Sequence, residues 1–220
     1  MPTRTRPRIP LTKERVLNAA IVIADRDGIE SLSMRRIGKE LGVEAMSLYN
    51  HVANKEDILN GMVEVVMSEI DLPSEGIGWK QAMRRRSTSA YRMLSQHGWA
   101  GALIDSLVSE GPVKLGHHEW VLRTLREAGF SLVMAAHAFS LMDSYIYGFS
   151  SQEQSLPLED DGDLTEASEL LLQMLPRDEY PYLTEMSLDH ALKPGYDHSA
   201  EFEFGLDLIL DGLERELASG

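Results

Sequence analysis

The stretch Met34–Lys55, MRRIGKELGVEAMSLYNHVANK, reads as a helix, a glycine-containing turn and a short second helix that ends in another turn. Ser33 stands where its hydroxyl can cap the first helix, and Ile37 and Leu41 lie one turn apart on its inner face. Gly42 follows, a residue that takes a left-handed conformation at a helix C-terminus without a Cβ penalty. In the second helix Leu48 and Val52, again four apart, face inward. Met46, Ser47, Tyr49, Asn50 and His51 form the outer face, which carries no acidic group. A helix-turn-helix needs such a pair to seat a recognition helix in the DNA major groove, although an ordinary helical hairpin has the same spacing.

The flanks extend the pattern. Thr12 caps a helix whose Val16, Ala19, Ala20 and Ile23 make an apolar stripe that Gly28 ends. Asn54 caps a fourth helix, with Asp57 at its third position as a variant capping box, and Leu59, Met62, Val63, Val66 and Ile70 line one face as far as Pro73. LGVEAMSLYNHVANKEDIL, preceded by a helix and by GIESLSMRRIG, closely resembles the DNA-binding domain of the tetracycline-repressor (TetR) family, without a gap from about Leu11 to Val66. GFSL at Gly129–Leu132 and EFGLDLILDGLE at Glu203–Glu214 resemble segments of the effector-binding domain of the tetracycline-repressor branch. The resemblance implies an all-α chain. A three-helix DNA-binding head, residues 11–70, follows a basic arm of residues 1–10, and a helical-bundle effector and dimerisation body spans residues 71–220.

Charge is spread unevenly. Residues 1–60 hold ten Lys/Arg against eight Asp/Glu, a net +2, whereas residues 61–220 hold eleven against twenty-seven, a net −16. An acidic body is repelled by phosphate, so only the head can approach DNA. The same acidity also keeps the body soluble. Arg4, Arg6 and Arg8, spaced by Thr and Pro, make an arm that is disordered in isolation and suited to an adjacent minor groove. The chain has no cysteine, so disulfides, thiolate metal sites and a cysteine nucleophile are excluded. No apolar run is long enough for a membrane span and no signal-peptide core precedes the head, so the expected location is cytoplasmic.

Beyond Pro73 the pattern stays helical. Residues 80–96 form a helix with a basic patch at Arg84–Arg86, a short helix follows Gly98, and Leu115–Ala128 is closed by Gly129. Leu132–Phe149 has apolar residues all round, the pattern of a helix buried on every side. A last helix over Ala200–Leu217 puts Phe202, Leu206, Ile209, Leu213 and Leu217 on one stripe, with Phe204, Leu208 and Leu210 outside it. These two helices either fill the monomer core or build a four-helix interface with a second copy. A homodimer is preferred, because one recognition helix reads too few bases and paired heads read a palindrome. Ser155–Asp163 and Leu192–Ser199 read as loops, and Leu164–Leu175 and Tyr180–Leu192 as intervening helices.

Carried over position by position, the resemblance implies DNA contacts from Arg35, Ala45, Met46, Ser47, Tyr49, Asn50, His51 and Lys55. Ala45 and Met46 depart from the glutamine and proline of the tetracycline repressor. Alanine cannot hydrogen-bond a base edge but can touch a thymine methyl, so the operator differs. Tyr49 packing half its ring and Arg35 pairing with a neighbour are the structural alternatives. The resemblance also implies a small-molecule effector in the body. Tyr91, Trp99, Trp120, His137, Met142 and Tyr145 are candidate lining groups, each equally suited to a core. The set that grips magnesium–tetracycline has no counterpart, so tetracycline is not expected, and neither is a metal or other cofactor.

Catalytic readings are weaker. Adjacent His117 and His118 point about 100° apart on a helix and cannot chelate one ion together. Asp160, Asp161 and Asp163 lack the order and closing Glu of a calcium loop. No GxSxG, P-loop, GxGxxG or HExxH occurs, and nothing fixes Asp189–His190 into a triad. The competing function is a helical ligand-binding or catalytic dimer with a vestigial head.

Overall fold

The computed structural model describes residues 10–73, 76–106, 111–155, 175–191, 193 and 196–219. Arg4, Arg6 and Arg8, the acidic 156–163 stretch and all but the last residue of the helix expected over Leu164–Leu175 lie outside these residues. Every regular element described is helical: α1 (Lys13–Asp27), a 3-10 turn (Ile29–Ser31), α2 (Met34–Leu41), α3 (Ala45–Leu48), α4 (Lys55–Met67), α5 (Trp79–Gln96), α6 (Ala100–Ser106), α7 (Pro112–Glu127), α8 (Leu132–Ser155), α9 (Pro181–Met186) with a following π-helical turn (Ser187–Ala191), and α10 (His198–Ser219). The chain divides into two compact units, Met1–Ala136 and His137–Gly220.

The starts of α1, α2 and α4 are those the capping residues dictate. The side-chain oxygens of Thr12, Ser33 and Asn54 accept the backbone N–H groups of Arg15, Arg36 and Asp57 at 3.2, 3.3 and 2.8 Å. Gly42 ends α2 at φ 67°, and the N–H groups of Gly42 and Val43 reach back to the carbonyls of Lys39 and Gly38 at 3.2 and 2.8 Å. This pair of hydrogen bonds is the Schellman arrangement, which turns the chain sharply into α3. The turn sits tightly on α2. A Cβ on Gly38 would lie 2.9 Å from the Val43 carbonyl oxygen and 3.2 Å from the Ala45 amide.

Helices α1 and α4 run side by side and are joined at three levels. At their N-terminal ends the Lys13 ammonium donates to Asp57 at 2.8 Å. Midway, Gly61 lets Leu17 approach so closely that a Cβ there would lie 2.7 Å from a Leu17 methyl. At their C-terminal ends His97 bridges the pair: Nδ1 is 2.8 Å from Asp25 and Nε2 is 3.3 Å from Glu69. Trp99 Nε1 also donates to Asp25 at 2.7 Å. Val16, Ala20, Ile23, Ile37, Leu48, Ile58, Met62 and Val66 form the core between these helices.

Three sequence expectations change. Arg84–Arg86 is no basic surface patch: Arg86 is 4% exposed, and Arg85 donates to Asp71 at 2.6 Å. Within one chain α8 is not buried on every side, since Leu132, Val133 and Leu141 are exposed while Ala135, Ala138, Met142 and Ile146 are buried. The inner stripe of α10 is Phe202, Leu206, Leu210 and Leu213, so Leu210 belongs to it and Ile209 and Leu217 lie at its margin. The shift follows from the 3.6-residue period, which puts Leu206, Leu210 and Leu213 on one side.

In a free helix Gly→Ala stabilises by about 1 kcal/mol. Gly38→Ala is expected to do the reverse, destabilising by about 1–3 kcal/mol because the added methyl meets backbone that cannot rotate away. Thermal unfolding decides the sign, and a raised midpoint would contradict the close packing. A second expectation concerns Asp57. The Lys13 hydrogen bond, followed by the Ala53 N–H, holds its carboxyl below the ordinary carboxylate range. A depressed folded pKa adds stability above the unfolded value, and that stability is lost as pH falls through the folded one. Asp57→Asn should therefore lower the midpoint at neutral pH, with the gap closing below about pH 4. A gap independent of pH would exclude the ion pair as its source.

Candidate nucleic-acid interface and effector cavity

The outer face of the helix pair is built by what its inner face buries. Leu48 and Val52 are buried beneath α3, which forces the residues between them outward. Met46 is 74% exposed, Tyr49 and Asn50 are exposed, and Ala45, Ser47 and His51 are half-exposed. The α-helical part of this segment is short. Beyond Leu48 the chain continues as turns, with the N–H groups of His51 and Val52 both donating to the Leu48 carbonyl at 2.8 and 3.1 Å. Arg35, in the first turn of α2, and Lys55, the first residue of α4, are both exposed.

The ion pairs of the head separate its cations into two groups. Arg36 pairs with Asp27, Arg26 with Asp27 at 2.9 Å and Glu40 at 3.5 Å, and Lys13 with Asp57 at 2.8 Å. Arg35, Lys39 and Lys55 form no ion pair with any described residue. The alternative in which Arg35 is absorbed by a neighbour thus falls to Arg36 instead. Lys39, one turn along α2 from Arg35, joins this exposed set and was missed by positional reading. Tyr49 is 48% exposed, so about half of it is covered and the rest faces outward.

Of the six candidate effector residues, Trp120 lines a described cavity. It is about 770 Å³ in volume, with walls from the 72–82 segment (Leu72, Pro73, Ile77, Trp79, Ala82) and from α7 (Trp120, Arg123, Thr124, Glu127). Trp79 is fixed edge-on against Phe130, ring centres 4.9 Å apart. Tyr91 is buried in α5, and Trp99 is buried with its indole N–H on Asp25. In the second unit His137 is exposed and Met142 fully buried. Tyr145 stacks on Phe202 at 5.3 Å, its hydroxyl donating to the Phe202 carbonyl at 3.0 Å. Burial, with the nearby Glu201 charge, pushes the Tyr145 hydroxyl above its ordinary pKa. His117 is buried and His118 half-exposed, and no cluster of three metal-ligating side chains occurs among the described residues. No described helix is long and apolar enough to cross a membrane.

Residues 16–62 match the family model described as "Bacterial regulatory proteins, tetR family", and residues 72–217 match "Tetracyclin repressor-like, C-terminal domain". The HTH-type transcriptional repressor DrrR1 of Streptomyces coeruleorubidus is 33% identical over 217 residues, covering 94% of this chain and 79% of that protein. The class D tetracycline repressor protein of Escherichia coli is 27% identical, covering 95% and 92%. Among solved structures, the Streptomyces coelicolor TetR family protein ActR in complex with actinorhodin superposes with a TM-score of 0.73 at 27% identity, covering 95% of this chain and 99% of that one. A two-part match spanning head and body makes the chain a member of the tetracycline-repressor family, a ligand-responsive DNA-binding transcriptional regulator and not an enzyme.

Proposed function

We propose that the protein is a homodimeric repressor that grips a palindromic operator through two α3 faces and releases it when a small molecule enters the body. The observation that carries this reading is the division of the head's cations. Lys13, Arg26 and Arg36 are tied into intramolecular ion pairs, while Arg35, Lys39 and Lys55 are exposed and form no ion pair with any described residue, on the two helices that flank Tyr49, Asn50 and His51 in the chain. In the complex Lys55, Ser47 and the Tyr49 hydroxyl hold phosphates, and Arg35 and Asn50 reach base edges. Ala45 and Met46 offer only apolar contact, which favours thymine methyls. His51 lies at the edge of the same face. The head, residues 11–70, works from the cytoplasm on double-stranded DNA.

The effector site is the cavity of about 770 Å³ beside α7, a volume within the range of small-molecule sites. Trp79 and Trp120 give it aromatic walls, and Arg123, Thr124 and Glu127 give it polar handles. The ActR–actinorhodin complex supports an organic effector, and no metal or other cofactor is invoked. Tyr91, Trp99, His137, Met142 and Tyr145 belong to the supporting body in this reading.

Pairing of the two copies runs through α8 and α10. Beyond its buried stripe, α10 carries a second apolar face, with Phe204 64% and Leu208 58% exposed, and Leu141 on α8 is exposed as well. Such a face calls for a partner, and a second copy fits because members of the family typically act as dimers. Leu213, 5% exposed inside the single chain, would report folding, so Leu208 is the better probe of association.

A mobility-shift titration with DNA from upstream of the protein's own gene tests the DNA reading. Lys55→Ala should weaken binding to all sequences alike and flatten its salt dependence. Arg35→Ala should cost about 1–3 kcal/mol and also relax base preference. Absence of any wild-type shift would favour the vestigial-head alternative. Sedimentation tests the pairing: the wild type should be dimeric at micromolar concentration and Leu208→Glu monomeric but folded, whereas a monomeric wild type would contradict the dimer.

A further inference from the structure

Helix α7 has no cap of its own. Its N-cap is Gly111, which has no side chain, and Pro112 at the next position has no N–H. The first free donor is Val113 N–H, and it is met by a carboxylate from another helix. Glu64 of α4 accepts it through Oε2 at 3.0 Å. The position suits a carboxylate twice over, as hydrogen-bond acceptor and as negative charge at the positive end of a helix. Gly111 is matched to the same contact, since a Cβ there would run into the Glu64 carboxylate.

We infer that the Glu64–α7 cap is the coupling element that conveys effector occupancy to the DNA-reading head, an inference that rests on the ligand-responsive reading above. The cavity wall and the cap are opposite halves of one helix. Trp120, Arg123, Thr124 and Glu127 line the cavity from the middle and C-terminal half of α7, and Glu64 grips its N-terminus. A helix transmits displacement as a stiff rod, so a ligand that tilts α7 pulls on Glu64. Glu64 lies on α4, and α4 is locked to α1 by Lys13–Asp57, by the Gly61–Leu17 approach and by the His97 bridge. The head therefore has to follow α4. Glu64 is a positioning residue: it touches neither DNA nor effector, and it sets which head spacing the body enforces. Weakening the cap lets more spacings be populated, so the operator-competent fraction falls.

The cysteine-free chain allows the test. A single Ala53→Cys substitution, on the exposed turn before α4, carries a spin label in each protomer, and electron–electron resonance reads the head-to-head distance. Glu64→Ala and Gly111→Ala attack the cap from its two sides. Both should broaden the distance distribution at temperatures well below unfolding and weaken operator binding about tenfold. Glu64→Gln, whose amide oxygen still accepts, should restore much of the wild-type distribution, which a general loss of stability would not do. If Glu64→Ala or Gly111→Ala is folded and keeps the wild-type distribution and affinity, the inference is overturned. If Glu64→Ala fails to fold, Gly111→Ala and Glu64→Gln carry the same decision. A labelled wild type with no inter-head distance or no DNA binding would instead defeat the proposed function itself.

Discussion

The lock between α1 and α4 is the constraint on which the rest of the molecule depends. The recognition segment is too short to fold alone: α3 is a single turn, and isolated helices of that length are unstable in water. It is held by α2 through the turn at Gly42, and α2 packs on α1, where Arg36 pairs with Asp27. The chain leads on from this assembly into the body through α4, and Asp25 of α1 also meets His97 and Trp99 of the body. With α1 joined to α4 at both ends and the middle, the head has no independent hinge, and its orientation is the orientation of α4.

The head was legible in the sequence because its signals are local. Thr12, Ser33, Asn54 and Gly42 act within a few residues of themselves, and each does in the fold what its type and position imply. The tertiary roles were not legible. Gly38 and Gly61 look like weak points of two helices until the neighbouring chain is seen within contact distance of each. Arg86 read as part of a surface patch because three consecutive arginines carry no sign of which one turns inward. In the sequence Glu64 reads as an ordinary helix-surface charge, and it becomes a cap only because α7, 49 residues away, begins with Gly-Pro. The second apolar face of α10 was visible as Phe204 and Leu208, but periodicity could not tell a core face from an interface. The effector residues were least legible, since an aromatic ring in a wall and one in a core have the same sequence signature. Trp99 illustrates this: it belongs to the α1–His97 junction.

Electrostatics and packing point the same way. The chain's acidity lies in the body, and three of the head's carboxylates, Asp27, Glu40 and Asp57, are engaged with its own cations. The cations left over, Arg35, Lys39 and Lys55, are exposed on α2 and α4, the helices before and after the segment that burial of Leu48 and Val52 turns outward. A duplex approaching the body meets net negative charge, so specificity of orientation comes from what the body repels as much as from what the head attracts.

The most direct measurement is selection of bound sequences from a pool of random DNA duplexes by the purified, full-length protein. A dimer with two heads carried on α4 predicts enrichment of an inverted repeat with half-sites one helical turn (~34–36 Å), or a whole multiple of it, apart, and with thymines prominent where Ala45 and Met46 face the groove. Enrichment of an unpaired, asymmetric site, or none above the starting pool, would contradict the account.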